Sequence, residues 1–218
     1  MRALQCTSTQ IVLIVAPPFL VLTTYFAFRH AAVWLGPERG YLVGFLFYWI
    51  FWCFLLPFLT VGVDGLRGMF QSPQPTFGTP NWLGVLLLLG PPLAMYITGF
   101  PGEVEKASLK IVLYSALFAL ANGTLEEILW RGAYISTFPK SWLWAYLYPA
   151  IWFGLWHLSP QVIYPSKMSG GPLAFALMSI SLGLVWGWVA KTTGSIRWTV
   201  IAHILLNFAG LTGRWFVP

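Results

Sequence analysis

Two adjacent carboxylates stand inside an otherwise apolar stretch, Leu125-Glu126-Glu127-Ile128-Leu129-Trp130-Arg131. The chain of 218 residues holds only six acidic side chains, so a pair in this position is informative. An ionisable group at bilayer depth costs at least ~2.5 kcal/mol and persists where it has a partner or a task. Two of the three histidines, His157 and His203, also lie in apolar runs, and Asn207 follows His203 four residues later. A carboxylate, two imidazoles and a carboxamide are what hydrolysis of a peptide bond uses. One group takes a proton from water, one holds that water, and donors stabilise the oxyanion.

On a helix each residue advances about 100°. Glu127 and Arg131 are spaced i,i+4, share a face and can pair. Glu126 points about 100° away from Glu127, which leaves one carboxylate for chemistry while the other is tied to arginine. Phe153-x-x-x-His157 and His203-x-x-x-Asn207 repeat the same spacing, each placing two side chains on one helix face. Taken singly, each constellation also has a plainer reading: an interfacial ion-pair cluster at a helix end, a structural histidine, and polar contacts between membrane helices. Their coincidence in one chain favours a buried hydrolytic site.

The elements that must position these groups are membrane helices. Hydrophobic residues make up 58% of the chain and charged residues 8%, with a mean hydropathy of +0.73. A soluble domain carries roughly 25% charged residues. Apolar stretches of about 20 residues recur, each long enough for a hydrocarbon core of about 30 Å. The expectation is an all-α, polytopic transmembrane bundle with about seven spans, near 9–28, 41–63, 82–100, 111–130, 142–158, 172–190 and 196–213. The first is read as a retained span rather than a cleaved signal. Short loops with Gly-Pro and Pro-rich breakers separate the spans, and one domain over 1–218 is expected, with its motif-bearing core at about 111–213. A β-barrel would instead alternate in short segments.

Pro17-Pro18, Pro57, Pro91-Pro92 and Pro149 fall inside spans and predict kinks. Trp34, Trp82, Trp142 and Trp198 fall at span ends, which suits interfacial belts. The net charge of +6 is spread singly over the loops. With the N-terminus inside, Arg2, Arg67, Arg131, Lys140, Lys191 and Arg197 face Arg29, Arg39, Lys106, Lys110, Lys167 and Arg214, so the positive-inside rule does not choose an orientation. There is no basic face and no nucleic-acid motif, so nucleic-acid binding is excluded. Cys6 and Cys53 have no CxxC or metal-ligand spacing and read as small core residues.

Glu126-Glu127-x-x-x-Arg131, Phe153-x-x-x-His157 and His203-x-x-x-Asn207, in that order and within apolar runs, resemble the three motifs of the CAAX protease and bacteriocin-processing (CPBP, or Abi) family, which includes the Ras-converting prenyl-protein endopeptidases. The likeness covers about Asn122 to Asn207 and extends to placement on the fourth, fifth and seventh spans. An eighth span, present in the Ras-converting type, is not seen after Gly213. The resemblance implies roles: Glu126 as the glutamate that activates water, His157 as the histidine that holds and polarises it, and His203 with Asn207 as the oxyanion pair. Glu127 and Arg131 match the supporting pair, and Phe153 packs beside the site.

The same likeness bears on cofactor and substrate. Glu126, His157 and His203 form a His₂Glu set of the kind that holds zinc in several proteases. There is no HExxH motif, however, and a zinc-bound Glu126 would leave Glu127, already claimed by Arg131, as the base. The likeness to the Ras-converting type implies a metal-free, glutamate-dependent enzyme, so no cofactor is the favoured expectation, with zinc on Glu126, His157 and His203 as the alternative. The substrate class implied is a membrane-anchored or lipidated peptide at the bilayer of a multi-pass protein, and the small size resembles members of the bacterial inner membrane. Two readings from other classes remain beside it: a non-catalytic immunity or scaffold member, and a proton-coupled carrier, since membrane-embedded Glu and His also serve proton relays.

Overall fold

The computed structural model describes residues 7–213; Arg2, Cys6 and Arg214 lie outside the described residues. Helices account for nearly all of it, and no strand occurs among the described residues. Seven helices lie at the positions of the expected spans: α1 (Ser8–Leu35), α2 (Pro37–Met69), α3 (Asn81–Thr98), α4 (Leu109–Thr137), α5 (143–156), α6 (Gly171–Thr193) and α7 (Arg197–Ala209). A single helical turn, Phe100–Val104, follows α3.

Local chemistry starts these helices where the sequence supplies it. Thr7 caps α1 reciprocally: its hydroxyl accepts from Gln10 N (3.3 Å) and Gln10 Oε1 accepts from Thr7 N (2.9 Å). Ser108 caps α4 through Ile111 N. Pro57 and Pro149 each follow a stretch wound as π-helix, Tyr48–Leu55 and Leu143–Leu147. Proline removes a donor and crowds the carbonyl four residues back, and a wider turn relieves both. Gly62, at φ 68°, breaks the regular winding of α2.

Polarity is arranged for a lipid solvent. Large apolar side chains such as Leu59, Ile97, Leu109 and Leu117 stand exposed, while Glu126, Glu127, Arg131 and His203 are buried. Such an apolar exterior would be an aggregation liability in water and is the stable choice in a bilayer. The protein is an integral, multi-pass membrane protein. Five helices, α1 to α4 and α6, are long and apolar enough to cross. α5 and α7, at 14 and 13 residues, reach only about 20 Å against a core of about 30 Å. These two short helices carry the second and third motifs.

One expectation is corrected. The Glu126–Arg131 constellation is not at a helix end: α4 continues to Thr137, and Arg131 is 2% exposed. The interfacial reading of the cluster therefore fails, and Arg131 leaves the loop charges. Trp34, Trp82 and Trp142 stand exposed, and the half-buried Trp198, at the start of α7, packs its ring on Phe77 at 5.2 Å.

The packing order sets up the site. α7 lies against α4 and α3, α5 against α6, α1 against α2, and the C-terminal part of α2 against residues 128–133. Gly123 lets α4 and α7 approach closely, since a Cβ there would lie 2.8 Å from the Ile204 backbone nitrogen.

Candidate active site

α4 brings Glu126 and Glu127 to the end of its regular winding, and a π-helical stretch, Ile128–Ala133, follows at once. Such widened turns recur at functional sites because they re-aim side chains without ending a helix. Arg131 Nη1 lies 2.8 Å from Glu127 Oε1 in a fully buried ion pair. The pair is needed because an uncompensated buried charge costs several kcal/mol. Phe153 of α5 covers the guanidinium, its ring centroid 4.3 Å from Cζ, and its edge meets the His157 ring at 4.6 Å.

The close crossing at Gly123 delivers His203 of α7 between the two carboxylates. Its Nδ1 is 2.9 Å from Glu127 Oε1 and its Nε2 is 3.4 Å from Glu126 Oε2. A neutral imidazole carries one N–H. The hydrogen bond runs through Nδ1 to Glu127, and Nε2 faces Glu126 Oε2 at the longer distance. Trp186 packs its ring 5.0 Å from that of His203 and closes this side of the cluster.

His157 ends α5. Its Nδ1 is 2.7 Å from the Phe153 carbonyl oxygen, which can only accept. Nδ1 therefore carries the proton, and Nε2 of the neutral ring is a lone-pair acceptor. His157 and Asn207 line one cavity of about 440 Å³, together with Asn122, Gln161, Lys167 and Thr212. The Nδ2 of Asn207 is buried and has no protein partner. Glu126 is linked to this cavity through Asn122, whose Nδ2 donates to Glu126 Oε2 at 3.0 Å. The other oxygen, Glu126 Oε1, is buried and makes no hydrogen bond of ordinary length, and the Tyr48 hydroxyl lies toward the same carboxyl.

Of the expected residues, Glu126, Glu127, Arg131, Phe153 and His203 form one contact network. His157 adjoins it through Phe153, and Asn207 faces the cavity. His203 and Asn207 share a helix face but make no hydrogen bond to each other; the imidazole is taken up by the glutamates. Asn122 was missed by the sequence reading, although Asn122-x-x-x-Glu126 repeats the i,i+4 spacing of the other motifs. Trp49, which donates to Asn122, carried no signal. Among the described residues no group of three His, Cys, Asp or Glu is placed to hold a metal ion.

Residues 108–209 match the family model described as Type II CAAX prenyl endopeptidase Rce1-like. The match contains all three motifs, and with it the resemblance to the CAAX protease family is shown. No curated protein and no solved structure matches the chain.

Proposed function

With residues 108–209 matching a family of CAAX prenyl endopeptidases, we propose that this protein is a metal-free intramembrane endopeptidase in which Glu126 activates water. The observation that carries the reading is the state of Glu126. It is a buried carboxylate with one oxygen engaged by Asn122 at the cavity wall and the other making no hydrogen bond of ordinary length. In the reaction, Glu126 Oε1 takes a proton from water while His157 Nε2 accepts a hydrogen bond from that water and orients it. The hydroxide attacks the scissile carbonyl carbon. The resulting oxyanion is met by the Asn207 Nδ2 donor, with the His203 side of the cluster supplying positive charge. Glu126 then returns its proton to the leaving amine as the C–N bond breaks. Glu127 and Arg131 hold His203 and carry no proton in the cycle.

The substrate proposed is a membrane-anchored peptide with an apolar or lipidated residue near the cut. A second cavity of about 1040 Å³ supports this, because its walls between α2 and α4 include Leu42, Trp49, Leu117 and Phe118 beside the charged Glu38, Arg39 and Lys110, and it shares Phe118 with the first. An apolar chain and a peptide end can then occupy adjoining spaces. The site of action proposed is the inner membrane of a bacterial cell.

The test is cleavage in liposomes of membrane-anchored and C-terminally lipidated peptides, wild type against Glu126→Gln. Products made by the wild type and absent with a folded Glu126→Gln variant are expected. Equal cleavage by both would remove Glu126 as the base.

A further inference from the structure

We infer that Trp49 and Asn122 are positioning residues for Glu126, and that their two hydrogen bonds select which carboxylate oxygen is presented for proton transfer. The inference rests on the proposed role of Glu126 as the base. Trp49 Nε1–H donates to Asn122 Oδ1 at 2.9 Å, and Asn122 Nδ2–H donates to Glu126 Oε2 at 3.0 Å. An indole nitrogen can only donate. It therefore settles the orientation of the Asn122 amide, oxygen toward Trp49 and nitrogen toward Glu126. The donor from Asn122 ties down Oε2, which also lies 3.4 Å from His203 Nε2. Oε1 makes neither of these contacts and no hydrogen bond of ordinary length, although the Tyr48 hydroxyl also lies toward the carboxyl, and it is the oxygen left able to take a proton.

The chain is anchored from outside the motif-bearing segment. Trp49 belongs to the π-helical stretch Tyr48–Leu55 of α2, whereas the family match begins at residue 108. That stretch turns two successive side chains inward. Tyr48 is fully buried, accepts from Trp130 Nε1 at 2.7 Å and stacks on Trp156 at 3.8 Å. Trp49 packs its ring against Phe45 and Phe118, at 5.3 and 5.4 Å. α2 thus holds the helix of Glu126 through one residue and the helix of His157 through the next. Without the indole donor the Asn122 amide is free to turn over. Its oxygen would then face Glu126 Oε2, two acceptors would oppose each other, and the carboxylate would rotate out of register.

Trp49→Phe deletes the donor and replaces the indole by a smaller ring at the wall of the second cavity, so it is read beside Asn122→Ala, which leaves that wall in place. Its kcat on a peptide cleaved by the wild type is expected to fall about tenfold, a fraction of what a positioned general base contributes, with any change in KM smaller than the fall in kcat. Asn122→Ala should lower kcat at least as far. The double variant should be no worse than Asn122→Ala alone, because both residues act through one chain. A second readout does not depend on cleavage: the ¹⁵N-indole resonance of Trp49 should move upfield in Asn122→Ala. An unmoved resonance, full kcat in Trp49→Phe, a rise in KM alone, or additive losses in the double variant would each overturn the inference. If Glu126→Gln still cleaves, the proposed function fails first, whatever the Trp49 variant does. If Glu126→Gln is dead while Trp49→Phe is fully active, the positioning chain alone fails.

Discussion

His203 Nδ1 lies 2.9 Å from Glu127 Oε1, although 76 residues separate them in the chain. This contact makes Glu127 the anchor of the cluster, since the same oxygen also meets Arg131 Nη1 at 2.8 Å. The two carboxylates are neighbours in sequence and unlike in duty: one is spent on structure and the other is proposed for chemistry.

Removing the anchor should therefore cost stability. Glu127→Gln leaves the Arg131 charge buried and uncompensated, and a loss of about 3–5 kcal/mol is expected, read as a lowered Tm in detergent. Replacing both partners, Glu127→Leu with Arg131→Met, should restore most of that stability, because no orphaned charge remains. Cleavage should stay absent in the double variant, since His203 has lost its holder. Cleavage at the wild-type rate would show that His203 needs no support from Glu127.

The crossing of α4 and α7 depends on one missing side chain. Gly123→Val puts methyl groups into the backbone of Ile204 and should cost about 1–3 kcal/mol as an overpacked contact. Because His203 is the residue before Ile204, cleavage should fall more steeply than stability. Gly90→Ala is the control, with open space around its Cβ, and should leave both unchanged. Equal tolerance of the two substitutions, in unfolding and cleavage, would refute the close approach.

Asn207 is the unpartnered donor on the cavity wall. Asn207→Ala should lower kcat by about 10²–10³, the usual effect of losing one oxyanion donor, with little change in Tm because no protein hydrogen bond is broken. A raised KM with kcat intact would assign Asn207 to substrate binding instead.

Strong chelation should leave cleavage intact. Both imidazoles engage a fixed acceptor through Nδ1, Glu127 for His203 and the Phe153 carbonyl for His157, so a metal would have to use the Nε2 atoms. Loss of cleavage on chelation, restored by zinc alone, would overturn the metal-free reading.

Much of the site could be read from the chain because helical spacing is local. Glu127 with Arg131, and Phe153 with His157, are pairs that rotation by i,i+4 brings together in any helix, and both meet here. The helical membrane class followed from the sequence as well, since only helices and closed barrels satisfy the backbone in lipid and long continuous apolar runs exclude the alternation of a barrel.

What tertiary structure decided is everything that passes between helices. That His203 meets the glutamates rather than Asn207, that Asn122 carries Glu126 to the cavity wall, and that Trp49 of α2 holds Asn122, all depend on how α2, α4 and α7 cross. The depth of Arg131 was hidden for a related reason, because the apolar run of α4 did not show that the helix continues to Thr137. In a membrane protein the lipid-facing and core-facing surfaces are both apolar, so the hydrophobic pattern that orients a soluble helix says little about which face meets which neighbour. Only close contacts such as Gly123 against Ile204 set that geometry.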